Sequence, residues 1–231
     1  MGHADTATAT TADATAPAAR GSAPCGAAPR ARADAARNRE RILIAAREAF
    51  VVNGAEASLD EIARSAGVGN ATLYRHFPDR DALVHGVLQY VTERVVERGE
   101  KALGEEDSFE AFRSFVRGAA EERIGALCPM LSGRFDPSEP QSLAARTRVE
   151  KLTQDLLRRG QREGTVRTDI DVGDVMVALS QLTRPLPGVG CQSIARFAER
   201  HVQLFLDGLR APARSELPGH AATLEELRQE N

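Results

Sequence analysis

Between Asn70 and Arg80 the chain carries an amide (Asn70), two hydroxyls (Thr72, Tyr74), an imidazole (His76) and two guanidinia (Arg75, Arg80). Such groups suit a polyanion with readable edges. Asn and Arg side chains pair with adenine and guanine edges in a DNA groove, while hydroxyls and further cations hold phosphate oxygens. No comparable gathering of reactive groups occurs elsewhere. Cys25, Cys128 and Cys191 form no C-x-x-C pair and their number is odd, which implies a reduced protein without structural zinc. From Arg94 onward the only histidines are His201 and His220, and no Ser-His-Asp or paired-carboxylate motif appears. No catalytic residue, metal ligand or cofactor is therefore expected. Gly67-Val68-Gly69 looks like half of a dinucleotide fingerprint, but no strand precedes it and the third glycine is absent.

A groove-reading set needs a rigid helix pair behind it. Ser58 stands three residues before Glu61, the capping-box spacing, and opens a helix carrying Leu59, Ile62 and Ala66. Ala66-Gly67-Val68-Gly69 reads as a tight turn, and Asn70 to Phe77 as a second short helix ended by Pro78-Asp79. With Leu73 and Phe77 buried, Ala71 and Arg75 point most directly outward, Thr72 and Tyr74 lie on the flanks, and Asn70 sits at the exposed amino end. Ahead of this pair, Ile42, Ala45, Ala46, Ala49 and Phe50 keep helical spacing until Asn53-Gly54. Behind it, Leu83, Val84, Val87, Leu88, Val91 and Val95 share one face of a long helix from about Asp79 to Lys101.

The 231 residues are 42% hydrophobic and 27% charged, ordinary globular usage, so wholesale disorder is excluded. Apolar runs of only a few residues, against the ~18 that span a bilayer, predict no membrane helix, and a cytoplasmic protein is expected. Net charge is only −3, yet five Arg against Asp34 and Glu40 make the stretch from Arg30 to Arg41 locally basic. Residues 1–36 hold fifteen Ala, five Thr and three Pro, with no Val, Ile, Leu or Phe, and are expected to be a disordered tail. The alternative reading of its basic end is a DNA-brushing arm that uses Arg30, Arg32 and Arg37.

The second half also reads as helices, over Ser108–Leu127, Gln141–Gly160, Asp171–Thr183 and Ser193–Leu209, with Pro129–Pro140 irregular between the first two. No alternating strand pattern occurs, so the fold class is all-α. In the last of these helices Ile194, Phe197 and Phe205 share one side, while Ala198, Val202, Leu206 and Leu209 supply another. A terminal helix apolar on two sides needs its own core and a second copy of itself. Val175, Leu179, Leu182, Phe197, Val202 and Phe205 are thus the expected faces of a symmetric four-helix dimer contact.

The stretch Arg39–Leu88, RERILIAAREAFVVNGAEASLDEIARSAGVGNATLYRHFPDRDALVHGVL, resembles the tetracycline-repressor (TetR) family of bacterial transcription regulators, above all in its A-G-V-x-x-A-T-L-Y-x-H-F-P core. The resemblance implies a tail (1–36), a helix-turn-helix domain (37–86), a helical effector-binding and dimerisation domain (87–210) and a polar C-terminal tail (211–231). It implies that Thr72, Tyr74 and His76 grip phosphates, that Arg80 replaces the common Lys at the start of the fourth helix, and that Asn70 and Arg75 reach base edges. Ala71 lies among them, and Arg39 and the helix-opening Ser58 join the expected DNA contacts. Gly69 departs from the Ser often found there. Phe112, Phe115, Met130, Phe135, Leu152 and Met176 would surround a cavity for a small, largely apolar effector. The partners so implied are an inverted-repeat operator in double-stranded DNA, that effector and a second copy of the chain. The alternative is an effector-independent or architectural regulator with a filled core.

Overall fold

The computed structural model describes residues 29–127, 140–184 and 191–229. Among them the chain is helical, and its only strand-like contact is an isolated bridge between Val166 and Arg210. No described helix is long and apolar enough to cross a membrane.

The first helix, α1 (Pro29–Asn53), starts well before Arg37, so the disorder expected for residues 1–36 is corrected over 29–36, while 1–28 lie outside the described residues. The reason is local. Proline suits the first helical position, and alanine, at positions 31, 33, 35 and 36, has the highest helix propensity. Once Ile42, Ala46 and Phe50 are packed, each earlier residue needs only propagation, not nucleation. No core is required, and residues 32–37 are exposed.

One 3₁₀ turn (Gly54–Glu56) leads to α2 (Leu59–Ser65) and α3 (Asn70–His76). Then comes α4 (Arg80–Leu103), whose first turn is capped by Asp79 accepting from the Ala82 N–H at 2.7 Å. Leu83, Val84 and Val87 of α4 share a core with Phe50, Ile62 and Leu73, whereas Val95 and Ala102 belong to a second core. One continuous helix therefore runs through both units. The second unit holds α5 (Ser108–Glu121), the single turn α6 (Ile124–Leu127), α7 (Pro140–Arg162), α8 (Val172–Leu182) and α9 (Cys191–Gly208). Leu127 at the end of α6 reaches back into the first core.

The residues expected around an effector cavity are placed differently. Phe112 and Phe115 are wholly buried core, and Phe115 and Leu152 close on α4 so tightly that a Cβ at Gly99 would lie 3.0 Å from Leu152. Met176 is half-buried at the edge of that core, and Met130 and Phe135 lie outside the described residues.

The dimer face is corrected in part. Val175, Leu179 and Val202 are buried within the protomer, because their stripes on α8 and α9 pack against α5 and each other. Leu182 and Phe205 are half-buried against the same core. Phe197 stays 57% exposed, and Leu204 (59%) and Val177 (42%), not foreseen, are exposed too.

The last segment is more than a polar tail. It ends in α10 (Leu224–Gln229), and Leu224 packs on the second core. At its root Arg167 donates to both oxygens of Asp169 (2.6 and 2.7 Å) and to the Gly208 and Ser215 carbonyls (3.1 and 2.8 Å). The Arg167 guanidinium holds the Asp169 carboxyl down at about 2.

Candidate DNA-binding site

The helix pair is set by its turn. Gly67 adopts φ +64°, a left-handed conformation that suits glycine, and its N–H bonds the Arg64 carbonyl at 3.0 Å while Val68 N–H bonds that of Ala63 at 3.0 Å. Arg41 of α1 donates to the Gly67 carbonyl at 3.3 Å and lies where a Cβ would stand. Ile62, Ala63, Leu73 and Phe77 are buried between α2, α3 and α1, which holds α3 against its support.

On the opposite face α3 presents Ala71, Tyr74 and Arg75 to solvent, with Thr72 half-buried beside them. Tyr74 is 47% exposed, unusual for a large ring unless its surface awaits a partner. The Asn70 amide is engaged by the Asp60 carboxylate at 2.7 Å, which fixes it at the amino end of α3. Base reading by Asn70 therefore requires that bond to be shared or exchanged. Ser58 accepts from the Glu61 N–H at 3.4 Å and serves as the cap of α2, while Gly69 at the start of α3 supplies no side-chain cap.

Arg80, expected to grip phosphate, has one nitrogen bonded to the Ala57 carbonyl at 2.6 Å. It ties α4 to the loop before α2, because the chain reverses there and leaves that carbonyl facing the first turn of α4. Arg39 lies over the Phe77 ring, 5.1 Å from its centroid, a cation–π contact that anchors its stem while the residue stays exposed. His76 is half-buried; its Nε2 is shielded from solvent and has no hydrogen-bond partner among the described residues. Burial, with the Arg75 and Arg39 charges nearby, holds its imidazole below the ordinary value. The helix pair thus brings Ala71, Thr72, Tyr74, Arg75 and His76 onto one short helix, with Arg39 nearby, and assigns Ser58 and Arg80 structural bonds.

A second constellation escaped the sequence. Glu122, just past α5, has a side chain only 1% exposed, and three arginines surround it. Arg47 of α1 donates to Oε2 at 2.6 Å; Arg94 and Arg98 of α4 donate to Oε1 at 2.8 and 3.1 Å. Burial pushes this carboxyl up, but the Arg94 hydrogen bond and the Arg47 charge outweigh it and hold it below the ordinary range. Next to it Arg123 has φ +54°, and Gly125 donates its N–H to Thr183 Oγ1 at 2.9 Å. A Cβ at Gly125 would come 2.4 Å from the Ser180 carbonyl oxygen, so α6 lies directly on α8. Glu122 and α6 therefore stitch the helix-turn-helix unit to the second unit. The partners of Glu122 lie 75, 28 and 24 residues away, beyond any local motif. No group of His, Cys, Asp and Glu able to hold a metal ion occurs among the described residues.

Residues 42–87 match the family model of bacterial regulatory proteins of the tetR family, and residues 106–211 match that of the C-terminal domain of SbtR-like transcriptional regulators. A TetR transcription regulatory protein from Mycobacterium vanbaalenii is 35% identical, and the likeness covers 78% of this chain and 99% of that one with a TM-score of 0.57. A TetR transcriptional regulator from Streptomyces coelicolor is 31% identical over 76% of this chain and 99% of its own, with a TM-score of 0.56. The regulator UidR of Escherichia coli is 27% identical over 187 residues, 78% of this chain and 93% of that protein. The chain belongs to the TetR family: it is a DNA-binding transcription regulator, not an enzyme.

Proposed function

We propose that this regulator is a homodimeric repressor that binds an inverted-repeat operator and is released from it by a small, largely apolar effector. The observation that carries the reading is the pairing of two uncovered surfaces: Tyr74 and Arg75 on α3, and Phe197 and Leu204 on α9. A twofold partner on α8 and α9 buries the second surface and sets two copies of α3 antiparallel, with half-sites about one helical turn, ~34–36 Å, apart. Arg75 reads a base edge, and Tyr74 and Thr72 hold phosphates. The effector binds better to the conformation unable to reach both half-sites, and so shifts the population. Retardation of the promoter fragment beside the protein's own gene, with and without lipophilic compounds, tests the reading. The complete burial of Phe112 and Phe115 favours a second reading, an effector-independent regulator with a filled core. Operator binding indifferent to every compound would select it.

Two expected results probe the DNA side. Arg75→Ala should relax preference at one base pair of each half-site, with a loss of roughly 1–3 kcal/mol, while Tyr74→Phe weakens binding to all sequences alike. Competition against operators mutated base by base measures both, and a base-specific effect of Tyr74→Phe would reverse the assignment. Deleting residues 1–28 should leave the melting temperature unchanged. Removing residues through 39 should flatten the salt dependence of operator binding, since Arg32, Arg37 and Arg39 project from exposed turns of α1.

A further inference from the structure

The matched C-terminal domain ends at residue 211, and the Mycobacterium vanbaalenii relative is used up while about a fifth of this chain remains outside the likeness. Residues 212–229 extend past that boundary and fold back on the domain. The Ala222 N–H donates to Asp174 at the start of α8 (3.2 Å), Thr223 caps α10 through Glu226 (Thr223 N–H to Oε2, 3.0 Å), and Leu224 packs on the second core. Arg228 then crosses to α7 and donates to Oε2 of Glu150. Oε1 of the same carboxylate accepts from Arg146 at 3.1 Å. The Glu150 side chain is only 8% exposed although Arg146 and Arg228 are half in solvent. A carboxylate so covered is tolerable only while cations complete it.

The attachment is slight for so close a fit. From Pro212 to His220 every residue is exposed, and α10 has six residues, far too few for a helix stable by itself. Arg167 and Asp169 tie its root through the Ser215 carbonyl and the Leu217 backbone, and beyond that root one backbone bond, one ion pair and one leucine hold it, which places its outer part at the low end of local stability. It also lies against Gly173, the single glycine of α8. A Cβ at Gly173 would stand 2.2 Å from the Ala222 carbonyl oxygen, and the three atoms it would come nearest to all belong to Ala222. Beneath the segment are the Glu150 carboxylate on α7 and Gly173 and Asp174 at the start of α8.

We propose that residues 212–229 form a displaceable lid over a groove between α7 and α8 that takes amphiphilic organic cations. The lid is its own resident ligand: Leu224 fills the place of the apolar body and Arg228 that of the cationic head on Glu150. A molecule that displaces it must offer the same two chemistries, because an uncharged or anionic amphiphile would leave the covered Glu150 carboxylate with Arg146 as its one remaining cation. At its other end α8 holds α6 through Gly125, and α6 reaches the DNA-binding core through Leu127. Lid and helix-turn-helix unit therefore act on opposite ends of one 11-residue helix. The proposal rests on the effector-responsive reading above and names the chemical class of effector.

The test is calorimetric titration of octylguanidinium, octanol and octanoate into the full chain and into Gly173→Ala, Arg228→Ala and Glu150→Gln variants. Gly173→Ala drives the lid off while improving the helix propensity of α8, and Arg228→Ala removes the resident cation without touching the packing. A lid closed nine-tenths of the time lowers apparent affinity about tenfold. Octylguanidinium should therefore bind both opened variants about tenfold more tightly than the full chain, and adding Glu150→Gln should abolish its advantage over octanol. Equal affinity for the full chain and both opened variants overturns the lid, as does a guanidinium preference that survives Glu150→Gln. A Gly173→Ala chain that failed to fold would show the segment to be integral and would overturn displaceability. Operator retardation is run in parallel. Octylguanidinium that binds opened variants but leaves the DNA complex intact refutes the effector reading and keeps the lid. Release by compounds indifferent to Glu150 does the reverse.

Discussion

Glu122→Ala is expected to be the most damaging single substitution outside the apolar cores, lowering stability by about 3 kcal/mol. It leaves Arg47, Arg94 and Arg98 without their shared buried anion, with only the exposed Glu48 and Glu121 still paired to Arg47 and Arg98. The figure sits at the low end for a broken buried pair because Arg94 and Arg98 keep a third of their surface in water. Arg47 belongs to the helix-turn-helix unit and Glu122 to the second, so the loss falls on the seam between them. Urea unfolding followed by circular dichroism should show a lower midpoint, and a transition near that of wild type would refute the role. The pH dependence has a definite sign. The folded-state carboxyl lies below its ordinary value, so its contribution is complete above about pH 4.5 and is lost as pH falls through the folded value. Glu122→Gln should therefore differ from wild type by a constant amount from pH 5 to 7, and the two curves should converge on acidification below that. A gap that widened toward acid would mean that the carboxyl is not stabilised by its arginines.

Leu204→Glu together with Phe197→Glu should abolish dimerisation and, with it, operator binding at concentrations that saturate wild type. Each exposed side chain forfeits on the order of 1.5–3 kcal/mol of burial, and twofold symmetry counts each loss twice. Every 1.4 kcal/mol is a factor of ten, so the dissociation constant of the dimer should rise by a thousandfold or more. Because both positions face away from the protomer core, helical circular dichroism should be preserved. Phe205→Glu is the less clean substitution, since Phe205 packs on its own core and a charge there would disturb the fold as well. Sedimentation reads the assembly and gel retardation the binding. A double variant that stayed dimeric would place the interface elsewhere.

Helix type, helix order and the outward set of α3 were legible because they depend on local rules. The helical spacing of Leu59 with Ile62 and of Leu73 with Phe77, the glycine turn and the Ser58–Glu61 cap each act within a few residues, and the family resemblance rests on the same residues. The start of α1 is not legible from core-forming residues, because residues 29–36 have none and are helical all the same. An alanine-rich stretch joined to an anchored helix needs only propagation. The two apolar sides of α9 were also visible in the pattern, but not which side meets the protomer. That was decided when Val202 and Leu206 packed against α5 and α8 and left Phe197 and Leu204 uncovered.

Tertiary structure alone decided everything that joins distant segments. Arg80 could be seen as a cation but not as the donor to Ala57, and Asn70 as an amide but not as the partner of Asp60. Glu122 was one glutamate among many until α1 and α4 brought three guanidinia to it, and Arg228 was part of a polar tail until it met Glu150. The physical reason is common to all of them. A helix is specified by neighbours one turn away, whereas an ion pair or a dimer face depends on where whole helices cross, and the sum of their packing sets that angle.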